Sequence, residues 1–89
     1  MAWTVNYTET ALRQLRKFDK ATARRIIDFM DSRVATLSEP RSLGSALRGA
    51  ALGAFWRYRV GDYRIICDVQ DDALCILVIE TGHRKESYR

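Results

Sequence analysis

Phe55-Trp56-Arg57-Tyr58-Arg59-Val60-Gly61-Asp62-Tyr63-Arg64 reads as two strands joined by a two-residue turn. Aromatic and β-branched residues alternate with arginines on both sides of Gly61-Asp62, the pattern of a tight hairpin. With Gly61 and Asp62 as the loop, Val60 faces Tyr63 and Arg59 faces Arg64. Successive side chains leave a strand on opposite faces. Trp56, Tyr58 and Val60 therefore point one way, and Arg57 and Arg59 the other. Arg64, opposite Arg59, joins the second set. Like charges directly opposite each other destabilise a sheet. A chain that keeps three arginines in one patch is suited to holding something with several negative charges.

The rest of the composition fits a small globular protein. The 89 residues are expected to form one domain, 1–89. Apolar residues make up 47% and charged residues 29%, which is ordinary for a globular domain. No apolar run is long enough to cross a membrane, so no membrane partner is expected. The chain starts directly on strand-like Trp3-Thr4-Val5-Asn6-Tyr7, which predicts no signal peptide and a cytoplasmic location. A tight turn at Asp71-Asp72 would pair Cys67 with Ile76 and Asp68 with Cys75. The two thiols would then sit on opposite faces, reduced and buried rather than bridged. No Cys/His spacing resembles a metal site. The net charge of +4 is concentrated: between Glu39 and Asp62 there is no acid, and Arg41, Arg48, Arg57 and Arg59 all fall there.

The remaining segments frame the hairpin. Thr8 is placed to cap a first helix, with Ala11, Leu12, Leu15 and Phe18 at helical spacing and Arg13, Arg16, Lys17 and Lys20 on the other side. That basic side is either a solvated face or a phosphate-tracking one. A second helix is predicted over about 21–37, with Ala23, Ile26, Ile27, Met30, Val34 and Leu37 as its core stripe and Pro40 as its stop. Residues 41–54 read as a connecting loop with a helical turn around Leu47. Strands are predicted at about 54–60, 63–70 and 73–80. The last, apolar on both faces, belongs inside the sheet. The expected class is α+β in the order β-α-α-β-β-β. A helical hairpin packs on one face of a small, mainly antiparallel four-stranded sheet.

These features together resemble the RelE/ParE superfamily of toxins from toxin–antitoxin pairs. The opening strand and helix hairpin carry the resemblance, with Leu47-Arg48-Gly49, the hairpin Trp56 to Arg64, and the ending Gly82-His83-Arg84-Lys85-Glu86-Ser87-Tyr88. The match points to the RelE side, whose members cut messenger RNA on the ribosome. ParE-like members share the fold and inhibit DNA gyrase. The resemblance implies that Arg57 and Arg59 stand where other members carry two lysines. It also implies that Arg64, Arg84 and Tyr88 match site residues, and that His83 has a basic counterpart. It implies a cognate antitoxin, RelB-like or similar, as partner. Operator DNA would be bound only as a complex with that antitoxin. Ribosome and mRNA are the implied target, and no cofactor is implied.

The expected chemistry is attack by the RNA 2′-hydroxyl on the neighbouring phosphorus without a metal. Guanidinium groups fork onto phosphate oxygens and stabilise the charge that gathers on phosphorus. Arg57, Arg59 and Arg64 are assigned that role, with Arg84 at the scissile phosphate and Tyr88 orienting the nucleophile or stacking on a base. Arg48 and Lys85 join Arg57 and Arg59 as RNA-binding candidates. Arginine stays protonated and cannot act as base, which leaves His83 as the candidate for proton transfer. Blander alternatives stay open. Arg57 and Arg59 would pair with Asp68 and other acids, His83 would cap the last strand, and Tyr88 would belong to a frayed tail. Trp56, Tyr58 and Tyr63 read as core packing. A gyrase inhibitor of the ParE type and a non-catalytic antitoxin-binding module are the competing functions.

Overall fold

The computed structural model describes residues 3–47 and 55–83. Strand β1 (Thr4–Tyr7) leads into helix α1 (Glu9–Lys17), and helix α2 (Lys20–Asp28) runs on into a π-helical turn at Phe29–Val34. A 3-10 turn at Pro40–Ser42 precedes the two-residue strand β2 (Ser45–Ala46). Strands β3 (Trp56–Val60), β4 (Tyr63–Gln70) and β5 (Cys75–His83) follow, with a 3-10 turn at Asp71–Ala73 between the last two. The sheet has five strands in the order β1-β5-β4-β3-β2. The β1–β5 pair is parallel and the other three pairs are antiparallel.

The α+β class and the helical hairpin stand as expected. Thr8 caps α1, its Oγ1 accepting from the Ala11 amide at 3.1 Å. That hydroxyl also donates to the Ile79 carbonyl at 2.8 Å, tying the helix start to β5. Ala11 and Leu15 of α1 and Ile26, Met30 and Val34 of the second helical segment bury against Tyr58, Val60, Ile65, Cys67, Ile76 and Val78 of the sheet. Leu12 departs from the expected stripe and lies exposed. The π turn is marked by the Ala35 amide reaching the Met30 carbonyl at 2.8 Å, five residues back. The wider turn lets Ala35 join Met30 and Val34 in the interior.

Four expectations need correction. The sheet has five strands, not four, because Ser45 and Ala46 pair with Arg57 and Trp56 inside the segment read as loop. Leu47 makes no helical turn, since its amide donates to the Phe55 carbonyl at 3.1 Å and extends the same pairing. The β4–β5 turn spans Asp71–Leu74, with Leu74 left-handed at φ +50°. Cys67 therefore pairs with Val78, and Cys75 with Gln70. The thiols still occupy opposite faces, and both are free and buried. Finally, β5 continues through Thr81, Gly82 and His83. A bulge makes this possible: Ile66 pairs with Glu80 and Cys67 with Val78, leaving Ile79 as the extra residue.

An ion pair locks the far end of the sheet. Arg41 donates through Nη1 and Nη2 to the Asp71 carboxylate at 3.1 and 2.9 Å, and through Nη2 to the Val69 carbonyl at 3.3 Å. The hydrogen bonds from Arg41 hold the Asp71 carboxyl below the usual carboxylate range.

Candidate functional site

The hairpin register is the one read from the alternation: Val60 pairs with Tyr63, and Arg59 with Arg64. Gly61 takes φ +58°, the left-handed conformation that a two-residue turn asks of glycine. Tyr58 is 0% exposed and Val60 9%, so that side of β3 faces the helices. Arg57 and Arg59 leave by the opposite side, and Arg64 shares their face as the cross-strand partner of Arg59. Arg59 is exposed, Arg57 half-buried, and Arg64 only 5% exposed. Three guanidinium-bearing residues thus meet on the sheet face away from the helices.

Arg57 is anchored there. Its Nη2 donates to the Ser45 hydroxyl at 3.0 Å. Its Nε is buried and has no hydrogen-bond partner among the described residues. The supports lie one layer behind. Trp56 Nε1 donates to the Leu43 carbonyl at 2.7 Å, and Tyr58 Oη to the Pro40 carbonyl at 2.8 Å. Between them Gly44 at φ +83° runs so close to β3 that a Cβ would lie 2.8 Å from Trp56 Nε1 and 2.9 Å from Tyr58 Cδ1. Only glycine fits that approach. A cleft of about 450 Å³ opens at this edge between the π turn and β3, with Phe29, Arg33, Leu43, Tyr58 and Arg59 among its lining residues.

No ion pair neutralises Arg57 or Arg59 among the described residues; the pairs found are those of Arg41 with Glu39 and Asp71. The anticipated pairing with Asp68 is absent there, and the Asp68 carboxylate instead accepts from Gln70 Nε2 at 3.1 Å.

His83 does not join the arginines. It pairs with Tyr63 across β4–β5, and their rings meet edge to face at 5.2 Å. Tyr63 in turn packs edge-on against Phe18 at 4.8 Å. The imidazole therefore stands on the helix side of the sheet. Tyr7, Tyr58 and Cys67, on the same side, are held protonated. Burial, with the charges of Asp31 and Cys67 adding, pushes the Tyr7 phenol up to about 12. Burial likewise pushes the Tyr58 phenol and the Cys67 thiol above their ordinary values. Arg48, Arg84, Lys85 and Tyr88 lie outside the described residues.

One carboxylate on the arginine face escaped the sequence reading. Glu80 is exposed and is the cross-strand partner of Ile66, which in turn pairs with Arg57. The signal was hidden because the bulge at Ile79 decides which way Glu80 faces. Among the described residues no three His, Cys, Asp or Glu side chains gather as metal ligands, and no helix is long and apolar enough to span a membrane.

The comparisons agree with this architecture. Residues 5–88 match the family described as the ParE toxin of type II toxin–antitoxin system, parDE. The chain is similar to Toxin RelG of Mycobacterium tuberculosis, 29% identical over 89 residues, covering 100% of this chain and 99% of that protein. A chain of the toxin–antitoxin complex RelBE2 from Mycobacterium tuberculosis superposes with a TM-score of 0.84 at 26% identity, over 94% of this chain and 93% of that one. The isolated E. coli RelE toxin superposes at 0.72 with 19% identity, over 98% and 89%, a likeness of fold. The chain belongs to the ParE toxin family, and with it to the RelE/ParE superfamily: it is a toxin of a type II toxin–antitoxin system.

Proposed function

We propose that this toxin is a ribosome-dependent endoribonuclease that cuts mRNA without a metal ion and so inhibits translation. The observation that carries the reading is the placement of Arg57, Arg59 and Arg64 on one sheet face through the Arg59–Arg64 pair. Such a patch suits a phosphodiester. The 2′-oxygen forms a bond to phosphorus, the bond to the 5′-oxygen breaks, and a 2′,3′-cyclic phosphate and a 5′-hydroxyl result. Preorganised guanidiniums neutralise the charge that grows on the phosphoryl oxygens, and each such donor is worth about 10²–10³ in rate. Burial of Arg64 and the Ser45 bond to Arg57 reduce the motion lost on binding. Arg84 and Tyr88 remain proposed site residues on the strength of the resemblance, and Arg48 and Lys85 proposed RNA contacts. His83, turned toward Tyr63, is left out of the catalytic set.

The partner we propose is a RelB-type antitoxin acting in the cytoplasm, with operator DNA bound only by the pair. Five of the similar structures are complexes of RelE with RelB or a RelB peptide, or of RelBE2. An acidic or apolar antitoxin segment suits the cationic face and the adjoining cleft.

A second reading has one observation in its favour: the matching family carries the ParE name, whose members in the resemblance above inhibit gyrase. The test is to express the chain without its antitoxin and map messenger 5′ ends. New ends within translated codons support the ribonuclease. Intact messengers with DNA damage support the gyrase reading, and Arg57→Ala with Arg59→Ala would then leave growth arrest in place.

A further inference from the structure

The geometry assigns Glu80 as the general base of the reaction, the group that takes the proton from the attacking 2′-hydroxyl. The inference rests on the ribonuclease reading above, because only that reaction needs a base on this face. Three arginines stabilise charge but cannot accept a proton. His83 is on the helix side, and Tyr7, Tyr58 and Cys67 are held protonated within or beside the core.

The charged groups on this face of the described strands are Arg57 and Arg59 on β3, Arg64 and Asp68 on β4, and Glu80 on β5; β1 adds only Thr4 and Asn6. Asp68 is engaged by Gln70. It also lies four residues along β4 from Arg64, a distance of about 13 Å at the usual strand rise. Glu80 sits diagonally from Arg64, at the 7–8 Å or so expected of a diagonal neighbour. It lies two strands from Arg57 in the row Arg57–Ile66–Glu80, about 10 Å at the usual strand spacing. Among the described residues no ion pair joins Glu80 to Arg57, and Glu80 is exposed. A ribose and its phosphate fit between a carboxylate and guanidiniums at this separation. The carboxylate takes the 2′-hydroxyl proton as the oxygen bonds to phosphorus, and the departing 5′-oxygen takes a proton from water.

The Ile79 bulge is what delivers Glu80. In a regular ladder Ile79 would take the place opposite Ile66, Glu80 would fall opposite Ile65, and its side chain would point toward the helices.

The test is single-turnover cleavage of mRNA on programmed ribosomes by wild type, Glu80→Gln and Glu80→Asp, with a pH series for each. Glu80→Gln keeps the shape of an exposed side chain, so the fold stands. The expected result is a 10²–10⁴-fold fall in the limiting rate, the range for loss of a general base. Half-saturation should be unchanged or tighter, since a negative charge leaves a cationic face. Glu80→Asp should recover part of the rate. The pH–rate profiles of wild type and Glu80→Gln should differ in shape, since a base is present in one and absent from the other. If wild type cuts and Glu80→Gln cuts at the same limiting rate, Glu80 is a countercharge only and the assignment is overturned while the ribonuclease reading stands. If wild type leaves the message intact, both fall together.

Discussion

Removing one buried hydroxyl should reveal how firmly the arginine edge is held. Tyr58 is 0% exposed, and its Oη donates to the carbonyl of Pro40, itself fully buried, at 2.8 Å. Tyr58→Phe keeps the ring, its edge contact with Phe29 at 6.1 Å and its place among the core side chains. The loss is therefore confined to the hydrogen bond. An acceptor left buried without its donor costs about 1–3 kcal/mol. For a domain of this size each kcal/mol moves the melting midpoint by about 4–8 °C. A loss near 2 kcal/mol thus lowers Tm by roughly 8–16 °C. Circular dichroism at 222 nm, scanned on both proteins, measures it. The Pro40 turn leads through Leu43 and Gly44 to Ser45, which holds Arg57. Amide exchange at Leu47, whose N–H closes the β2–β3 pairing, should accelerate in the variant as well. A midpoint within about 2 °C of wild type, with unchanged exchange at Leu47, would refute the claim that the Tyr58–Pro40 bond braces this edge.

Leu74 is 41% exposed and sits at φ +50°. Asparagine tolerates that conformation better than a large aliphatic residue, so Leu74→Asn should raise stability by about 0.5 kcal/mol, read as a Tm higher by roughly 2–4 °C. The Arg41–Asp71 pair contributes through a carboxyl whose folded pKa is depressed. Its stabilisation is present above the unfolded value of about 3.9 and is lost as pH falls through the folded value. The Tm difference between wild type and Asp71→Asn should hold steady from pH 7 to 5 and shrink below about pH 4. Cys67, fully buried with its thiol pushed up by desolvation, should resist alkylation at pH 8 in the folded protein and react at once in denaturant.

What the sequence revealed, and what it hid, follows the range of the interactions involved. The hairpin was legible because its determinants are local: aromatic alternation, a Gly-Asp turn, and a two-residue loop that forces Arg59 opposite Arg64. The helix stripes were legible for the same reason. Ser45–Ala46 was not, because two small residues carry no alternation and become a strand only by meeting Arg57 and Trp56. The π turn left no trace, since the 3.6-residue pattern and a locally wider one both bury Met30 and Val34. Leu74 disguised the turn it makes, being a residue that the left-handed region disfavours. Thr81-Gly82-His83 looked like a tail because they are polar and small, yet Gln14 Oε1 accepts from the Thr81 amide at 2.6 Å and holds the strand in place. The facing of His83 and Glu80 depended on the same hidden bulge. For that reason the sequence points to residue 83 for proton transfer and hides the carboxylate of residue 80 on the arginine face.

The central claim is that Arg57, Arg59 and Arg64 form one phosphate-gripping surface that cuts RNA. The most direct measurement is the rate and end chemistry of mRNA cleavage on programmed ribosomes by purified wild-type toxin and by Arg59→Ala. Wild type should leave 2′,3′-cyclic phosphate and 5′-hydroxyl ends, and the variant should cut at a rate about 10²–10³-fold lower. Equal rates from the two proteins, or 5′-phosphate ends, would contradict the claim.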